Sequence, residues 1–193
     1  IKGHLPLVLT SSEDKQKAPD QSVDLKVEAK NLNLAVVEAY TDTLFRKVKG
    51  AINADFTITG TTESPKLNGL VSVSGGQFKI SDVGVLYQDI KGTVTLETDS
   101  IKVHNFQATT SYPRYGNGKA TVSGQIEMGK LGLGNMNFQI DMENFLLMNI
   151  NNIIGAGNGS LALSGTTYMP DIEGWITVTR SEFYYDETQY KLL

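Results

Sequence analysis

The sequence predicts an all-β protein, and three observations carry that expectation. Apolar and polar residues alternate along most of the chain with the period of two that marks a half-buried strand. Gly, Asn, Asp and Ser punctuate the alternating runs, as at Ser74-Gly75-Gly76 and Gly116-Asn117-Gly118, where a turn with positive φ costs little. One stretch of the chain also repeats internally.

The alternation begins with Val23, Leu25 and Val27 set between Asp24, Lys26 and Glu28. Ile52, Ala54, Phe56 and Ile58 follow, alternating with Asn53, Asp55 and Thr57. It returns at Val94-Leu96, Ile101-Val103, Met136-Phe138-Ile140-Met142, Leu161-Leu163 and Ile176-Val178. Read run by run, the pattern predicts roughly a dozen strands, each of about six or seven residues spanning about 20 Å. One segment breaks the rhythm. Apolar residues at 36, 37, 40, 44, 45 and 48 have helical spacing, so one short amphipathic helix is expected near 36–48, capped by Asn31 or Asn33 and ending around Lys47, Lys49 and Gly50. It would pack on the sheet or cover an open edge. Phe145 to Ile154 is rich in Asn and reads as a turn of helix or a loop.

Composition narrows the functional classes. Among 193 residues, 17 are basic and 21 acidic, a formal net charge of −4. No Lys/Arg stripe appears, which argues against nucleic acid and against docking on anionic lipid heads, since phosphate contacts need clustered positive charge. There is no cysteine, which removes thiolate metal sites, cysteine nucleophiles and disulfides. No run of 18 apolar residues is present to span a bilayer as a helix. The chain opens at Ile1 within an expected strand, so it reads as a piece of a larger protein whose anchor and export signal lie outside it.

The repeat is the most informative feature. Residues 58–69, Ile-Thr-Gly-Thr-Thr-Glu-Ser-Pro-Lys-Leu-Asn-Gly, match residues 163–174, Leu-Ser-Gly-Thr-Thr-Tyr-Met-Pro-Asp-Ile-Glu-Gly, at an offset of 105. The offset persists without a gap through Val73/Val178 and Phe78/Phe183. Upstream, Lys30-Asn31-Leu32 matches Glu143-Asn144-Phe145 at an offset of 113. Two related units follow, about 23–105 and about 136–193, within one β segment. Gly60, Pro65 and Gly69, with Gly165, Pro170 and Gly174, are expected to shape the turns, where the missing N–H of Pro does no harm.

With these residues in view, the chain resembles the TamB-type translocation and assembly proteins and their AsmA-like relatives. The resemblance rests on Ile-Thr-Gly-Thr-x₃-Pro-x-Leu-x-Gly within Gly50 to Gly69, on the opening Ile1-Lys2-Gly3-His4-Leu5-Pro6-Leu7, and on the glycine-marked strand Gly118 to Gly124. It covers Ile1 to about Asp186. It implies an elongated, curled antiparallel or mixed sheet forming an open apolar trough, the β-taco. It also implies a periplasmic segment of an inner-membrane-anchored protein that reaches an outer-membrane partner of the Omp85 class. The roles implied are phospholipid transport between the membranes and assembly of outer-membrane and autotransporter proteins. The family's C-terminal section, where that partner is met, has no clear counterpart in the sequence. Alternation by itself fits equally a closed sandwich or barrel with a filled core, because both need the same side chains.

The residues expected to line a groove for lipid or other apolar cargo are the inward members of the runs: Phe56, Ile58, Val71, Val73, Phe78, Ile80, Val94, Leu96, Ile101, Val103, Phe138, Ile140, Met142, Leu161, Leu163, Ile176 and Val178. No catalytic residue, metal ligand or cofactor site is expected. His4 and His104 are the only histidines, without ligand spacing, and Glu13, Asp14 and Asp20 read as a solvated loop from Ser11 to Ser22. No nucleophile elbow, P-loop or dinucleotide fingerprint occurs. The aromatic clusters Tyr112-Pro113-Arg114-Tyr115, Phe183-Tyr184-Tyr185 and Tyr190 read as edge packing or, alternatively, as a partner or carbohydrate contact, with Trp175 filling space where the first copy has Leu70. The partners implied are acyl chains, the Omp85-class protein and unfolded outer-membrane protein strands.

Overall fold

The alternating runs join into strands longer than the sequence suggests. The computed structural model describes residues 2–4, 22–39, 45–61, 64–112, 116–129, 132–150 and 152–183. Among them, ten strands lie side by side in chain order, each antiparallel to the next. They are β1 (Lys2–His4), β2 (Ser22–Asn33), β3 (Phe45–Thr61), β4 (Pro65–Ile80), β5 (Leu86–Leu96), β6 (Ser100–Tyr112), β7 (Gly116–Gly129), β8 (Gly132–Ile150), β9 (Ile153–Thr166) and β10 (Pro170–Phe183). The first and last do not pair with each other, so the sheet is an open meander and not a barrel. Apart from β1, the strands run from 11 to 19 residues, well beyond the six or seven expected.

β-bulges explain why the sequence reads as shorter pieces. A bulge inserts a residue and breaks the period of two, and residues with left-handed φ sit at bulges on five strands: Asn31 in β2, Lys47 in β3, Asp89 in β5, Asn105 in β6 and Asn144 in β8. Gly75 plays the same part in β4, so Ser74-Gly75-Gly76 is a bulge inside a strand and not a turn. Gly116-Asn117-Gly118 likewise opens β7. The expected helix at 36–48 shrinks to a 3-10 helix, Leu34–Ala39, while Phe45 to Val48 belong to β3. The bulge at Lys47 turns a strand spacing of two into the three between Phe45 and Val48, which mimics helical periodicity. The Asn-rich stretch is strand too. β8 continues through two bulges to Ile150, and β9 starts at Ile153.

A sheet with one apolar face and no second layer must hide that face by bending, since each Å² of exposed apolar surface costs about 25 cal/mol. Here it curls. Three steps across a flat sheet separate β5 from β8 by about 14 Å, yet the rings of Tyr87 and Phe145 stack with centroids 5.6 Å apart. The Asn149 N–H donates to the Val83 carbonyl (2.7 Å), tying the β4–β5 turn to β8. The buried Leu146 N–H donates to Thr110 Oγ1 (3.0 Å), linking β8 to β6 across Gly118 of β7, which pairs with Thr110. Gly118 permits that approach, because a β-carbon there would collide with Asn144 O. Val85, Leu146, Ile154 and Ala156 form the compact core at this end, with Val83, Tyr87 and Tyr112 packed on it.

The offset seen in the sequence has a geometric counterpart. The left-handed Asn31 donates its N–H to Asn53 Oδ1 (3.0 Å), and Asn144, 113 residues on, donates to Asn158 Oδ1 (2.7 Å), 105 residues after Asn53. The Thr61–Ser64 turn is held by Ser64 N–H to Thr61 Oγ1 (3.1 Å), and the Thr166–Met169 turn by Met169 N–H to Thr166 Oγ1 (3.1 Å). Gly60 pairs with Pro65 and Gly165 with Pro170, so the prolines open β4 and β10 beside their turns. Gly69 and Gly174, expected at turns, lie inside β4 and β10. Gly69 faces Phe56 at φ 146°, where any β-carbon would strike the Asp55 carbonyl and the Phe56 backbone.

That crowding sets a test. Gly69→Val should destabilise the chain by about 1–3 kcal/mol through overpacking. Gly75→Ala, with nothing within 4 Å of the added carbon, should cost only the left-handed backbone strain of about 1 kcal/mol. Urea unfolding of the two variants beside the parent chain measures the difference.

Candidate functional site: the inner face of the trough

Residues paired across antiparallel strands point to the same side of the sheet, so the register traces which side chains share a face. One row runs Ala29, Ala54, Val71, Val94, Val103, Gly124, Phe138, Leu163, Ile172 from β2 to β10. The next runs Val27, Phe56, Gly69, Leu96, Ile101, Ile126, Met136, Gly165, Pro170. A third carries Ile52, Val73, Val122, Ile140 and Leu161, with Phe106 over Gly92 between them. No polar residue interrupts the first two rows. At about 4.8 Å per strand they run for roughly 40 Å at right angles to the strands.

Every groove residue expected from the sequence lies on this one face by register. Ile58 pairs with Leu25 and Leu67, and Met142 with Ala120, Gly159 and, beyond it, Ile176. Val178 pairs with Gly157, beside Phe145. Phe78 and Ile80 reach the narrow end, where they line an apolar cavity of about 290 Å³ with Tyr87, Ile90, Phe106 and Val122. Sequence reasoning missed Phe45, Tyr87, Ile90, Phe106, Val122 and Phe145. For Tyr87, Ile90, Phe106 and Phe145 a bulge breaks the phase, and the signal that could have found them is the Asn or Asp one or two residues away, Asp89, Asn105 or Asn144. Phe45, Phe78, Tyr87 and Phe145 form an aromatic chain, with successive centroids at 5.1, 5.3 and 5.6 Å.

The face is open. Only ten apolar residues among those described are buried, and seven of them (Val48, Val85, Ile90, Phe145, Leu146, Ile154 and Ala156) belong to the narrow end or the strands beside it. From β2 to β9 the side chains of the two rows are half-buried apart from the buried Leu96, and on β10 Ile172 and Pro170 are exposed. A filled core of this size would bury many more. Glycines opposite phenylalanines, Gly69 to Phe56 and Gly124 to Phe138, let each ring lie across its neighbour and leave a floor of low relief.

Charge is kept outside. Lys102 and Glu97 pair at 2.6 Å, and Lys26 pairs with Glu28, all at positions alternate to the inner rows. The hydrogen bond from Lys102 holds the Glu97 carboxyl below the usual carboxylate range. His104 sits on the exposed side, its Nε2 3.1 Å from Thr95 Oγ1. Among the described residues no group of three His, Asp or Glu is placed to hold a metal, and no helix is long and apolar enough to cross a membrane, which says nothing about crossing by strands. The loop with Glu13, Asp14 and Asp20, residues 113–115, and Tyr184, Tyr185 and Tyr190 fall outside the described residues.

An open, single-layer antiparallel trough with a continuous apolar lining is the class of protein this geometry defines. The chain matches the model of the TamB C-terminal domain over residues 1–101 and 106–191, and it belongs to that family. The match corrects the expectation that the family's C-terminal section lacks a counterpart here. No curated protein and no solved structure matches the chain.

The aromatic wall has a pH signature. Burial holds the Tyr87 phenol above its ordinary pKa of about 10. Below that pH the phenol is neutral whether the chain is folded or not. Above it the unfolded chain loses the proton first, so stability falls as pH rises from 10 toward the folded value. Tyr87→Phe should therefore show a shallower loss of stability between pH 9.5 and 11 than the parent, measured by urea midpoint against pH.

Proposed function

We propose that this chain is a lipid-conducting trough: a periplasmic segment of an inner-membrane-anchored protein that carries phospholipid between inner and outer membranes and supports outer-membrane protein assembly with an Omp85-class partner. The observation that carries this reading is the pair of uninterrupted apolar rows across nine strands, over which no second layer lies among the described residues. Shielding a methylene from water is worth about 0.8 kcal/mol, so an acyl chain of about sixteen carbons avoids a cost on the order of 10 kcal/mol in such a groove. A floor of aliphatic side chains and flat rings holds that chain without a deep local minimum. Slipping from one strand to the next then exchanges like contacts for like, and transport needs neither nucleophile nor metal.

A second reading is favoured by one observation, the 14-residue strand β10, beyond which no strand lies among the described residues. In it the trough cradles unfolded strands of outer-membrane proteins, without lipid transport.

A photo-crosslinking residue at Ile101 or Phe138 separates the two, because it captures either phospholipid or polypeptide from the periplasm. Lipid adducts are expected. Purified chain should also carry phospholipid detectable by mass spectrometry. Val94→Lys or Leu163→Lys should cut uptake of a fluorescent phospholipid at least fivefold while circular dichroism stays that of a folded sheet. Absence of co-purified lipid together with no probe uptake by the parent chain overturns the lipid reading.

A further inference from the structure

The rows of the inner face let an apolar chain slide, but at the narrow end the sheet is hollowed into a recess. Its floor is two alanines that face each other across β6 and β7, Ala108 and Ala120. Larger side chains stand around them. Phe78, Tyr87, Ile90 and Phe106 bound the cavity of about 290 Å³, and its exposed wall is entirely apolar. Phe106 lies over Gly92, where a β-carbon would collide with its ring, and Ile90 lies over Gly76 in the same way. Both lean toward the lower-numbered strands, away from the alanines.

The recess is blind on one side and continuous with the groove on the other. One inner position beyond Ala108, Thr110 is 1% exposed and accepts the Leu146 N–H. Tyr87 closes the same side by packing on the core of Val85 and Leu146 and by stacking on Phe145. In the opposite direction β7 carries Val122, Gly124 and Ile126 inward, paired with Phe106, Val103 and Ile101. From Ala120 to Ile126 this apolar path runs about 20 Å. One leaflet of bilayer hydrocarbon is roughly 15 Å deep, so a lipid tail whose end reaches Ala120 lies wholly on the inner face.

We infer that this recess is the seat for the methyl end of a phospholipid acyl chain. Lipid then lies along the strands, its tail toward the β4–β5 turn and its head group toward the opposite strand ends. The inference rests on the lipid-conducting reading and adds to it an orientation and a limit on chain length. A wall without a polar atom offers nothing to a head group, a sugar or a peptide backbone, each of which would lose its hydrogen bonds there. An apolar cavity of about 150 Å³ binds benzene, so this one has room for several carbons. Each methylene that leaves water for it is worth about fourfold in affinity, and Ala108 and Ala120 set how many fit.

The test uses the full chain and phosphatidylethanolamine with a diazirine either at the end of one acyl chain or beside its carboxyl group. Mass spectrometry should find the terminal probe on 87–90, 106–108 and 120–122 and the proximal probe on 101–103 and 124–126, each at least fivefold over the other. Lysophosphatidylethanolamines held below their micelle concentrations give a second readout. Affinity should rise with chain length to a limit, and Ala108→Leu or Ala120→Leu should bring that limit earlier by about three carbons, the number leucine adds. Both probes on the same residues, the terminal probe at the opposite strand ends, or an unmoved limit in folded leucine variants overturns the seat and leaves lipid conduction standing. A recess left unlabelled while the chain dimerises would assign it to a second copy and likewise overturns the seat. No labelling of the inner face by either probe overturns both. The crosslinking needs only the parent chain, so it decides the matter whether or not the leucine variants fold.

Discussion

A single sheet with one apolar face and nothing laid over it must bend or leave that face in water, and the rest of this structure answers that constraint. The bend is locked where the β4–β5 turn meets β8. Val83 O accepts from Asn149, Thr110 Oγ1 accepts from Leu146, and Tyr87 stacks on Phe145. Small residues make the closure sterically feasible. Gly84 and Gly118 sit where any β-carbon would strike the backbone of β8. Burial is concentrated here, and the remaining length of the sheet is held mainly by its ladders.

Bulges distribute the curvature that the lock completes. Each one bends its strand and tightens the local twist, and bulges with a left-handed residue recur on β2, β3, β4, β5, β6 and β8. Asn and Asp tolerate left-handed φ better than most residues, and the side chains of Asn53 and Asn158 satisfy the amides of Asn31 and Asn144. The same Asn residues that make the chain look loop-like in sequence therefore keep its strands continuous while allowing them to turn.

The two faces divide the work. The inner one is continuous, with glycines lying opposite phenylalanines. The outer one carries the ion pairs and the exposed histidine. β10 departs from this pattern, with Ile172, Trp175, Ile176 and Val178 all exposed and, among the described residues, no strand beyond it.

Much of this was legible in the chain. Period two identified the strands, and the parity of each run put Phe56, Val71, Val94, Ile101, Phe138 and Leu163 on a common face, because a side chain's side of a strand is a local property. The repeat anchored Gly60 and Gly165 beside Pro65 and Pro170. Bulges hid the rest. The strand at 45–48 looked helical, and Phe145 to Ile150 looked irregular, since one inserted residue shifts the phase without changing the residue types. The sequence by itself determined an all-β chain with one apolar face. Only the tertiary structure decided that the face is an open trough with a narrow end, because curl and closure depend on contacts such as Asn149 to Val83 that join residues far apart in the chain, and an open sheet and a filled core demand the same alternation.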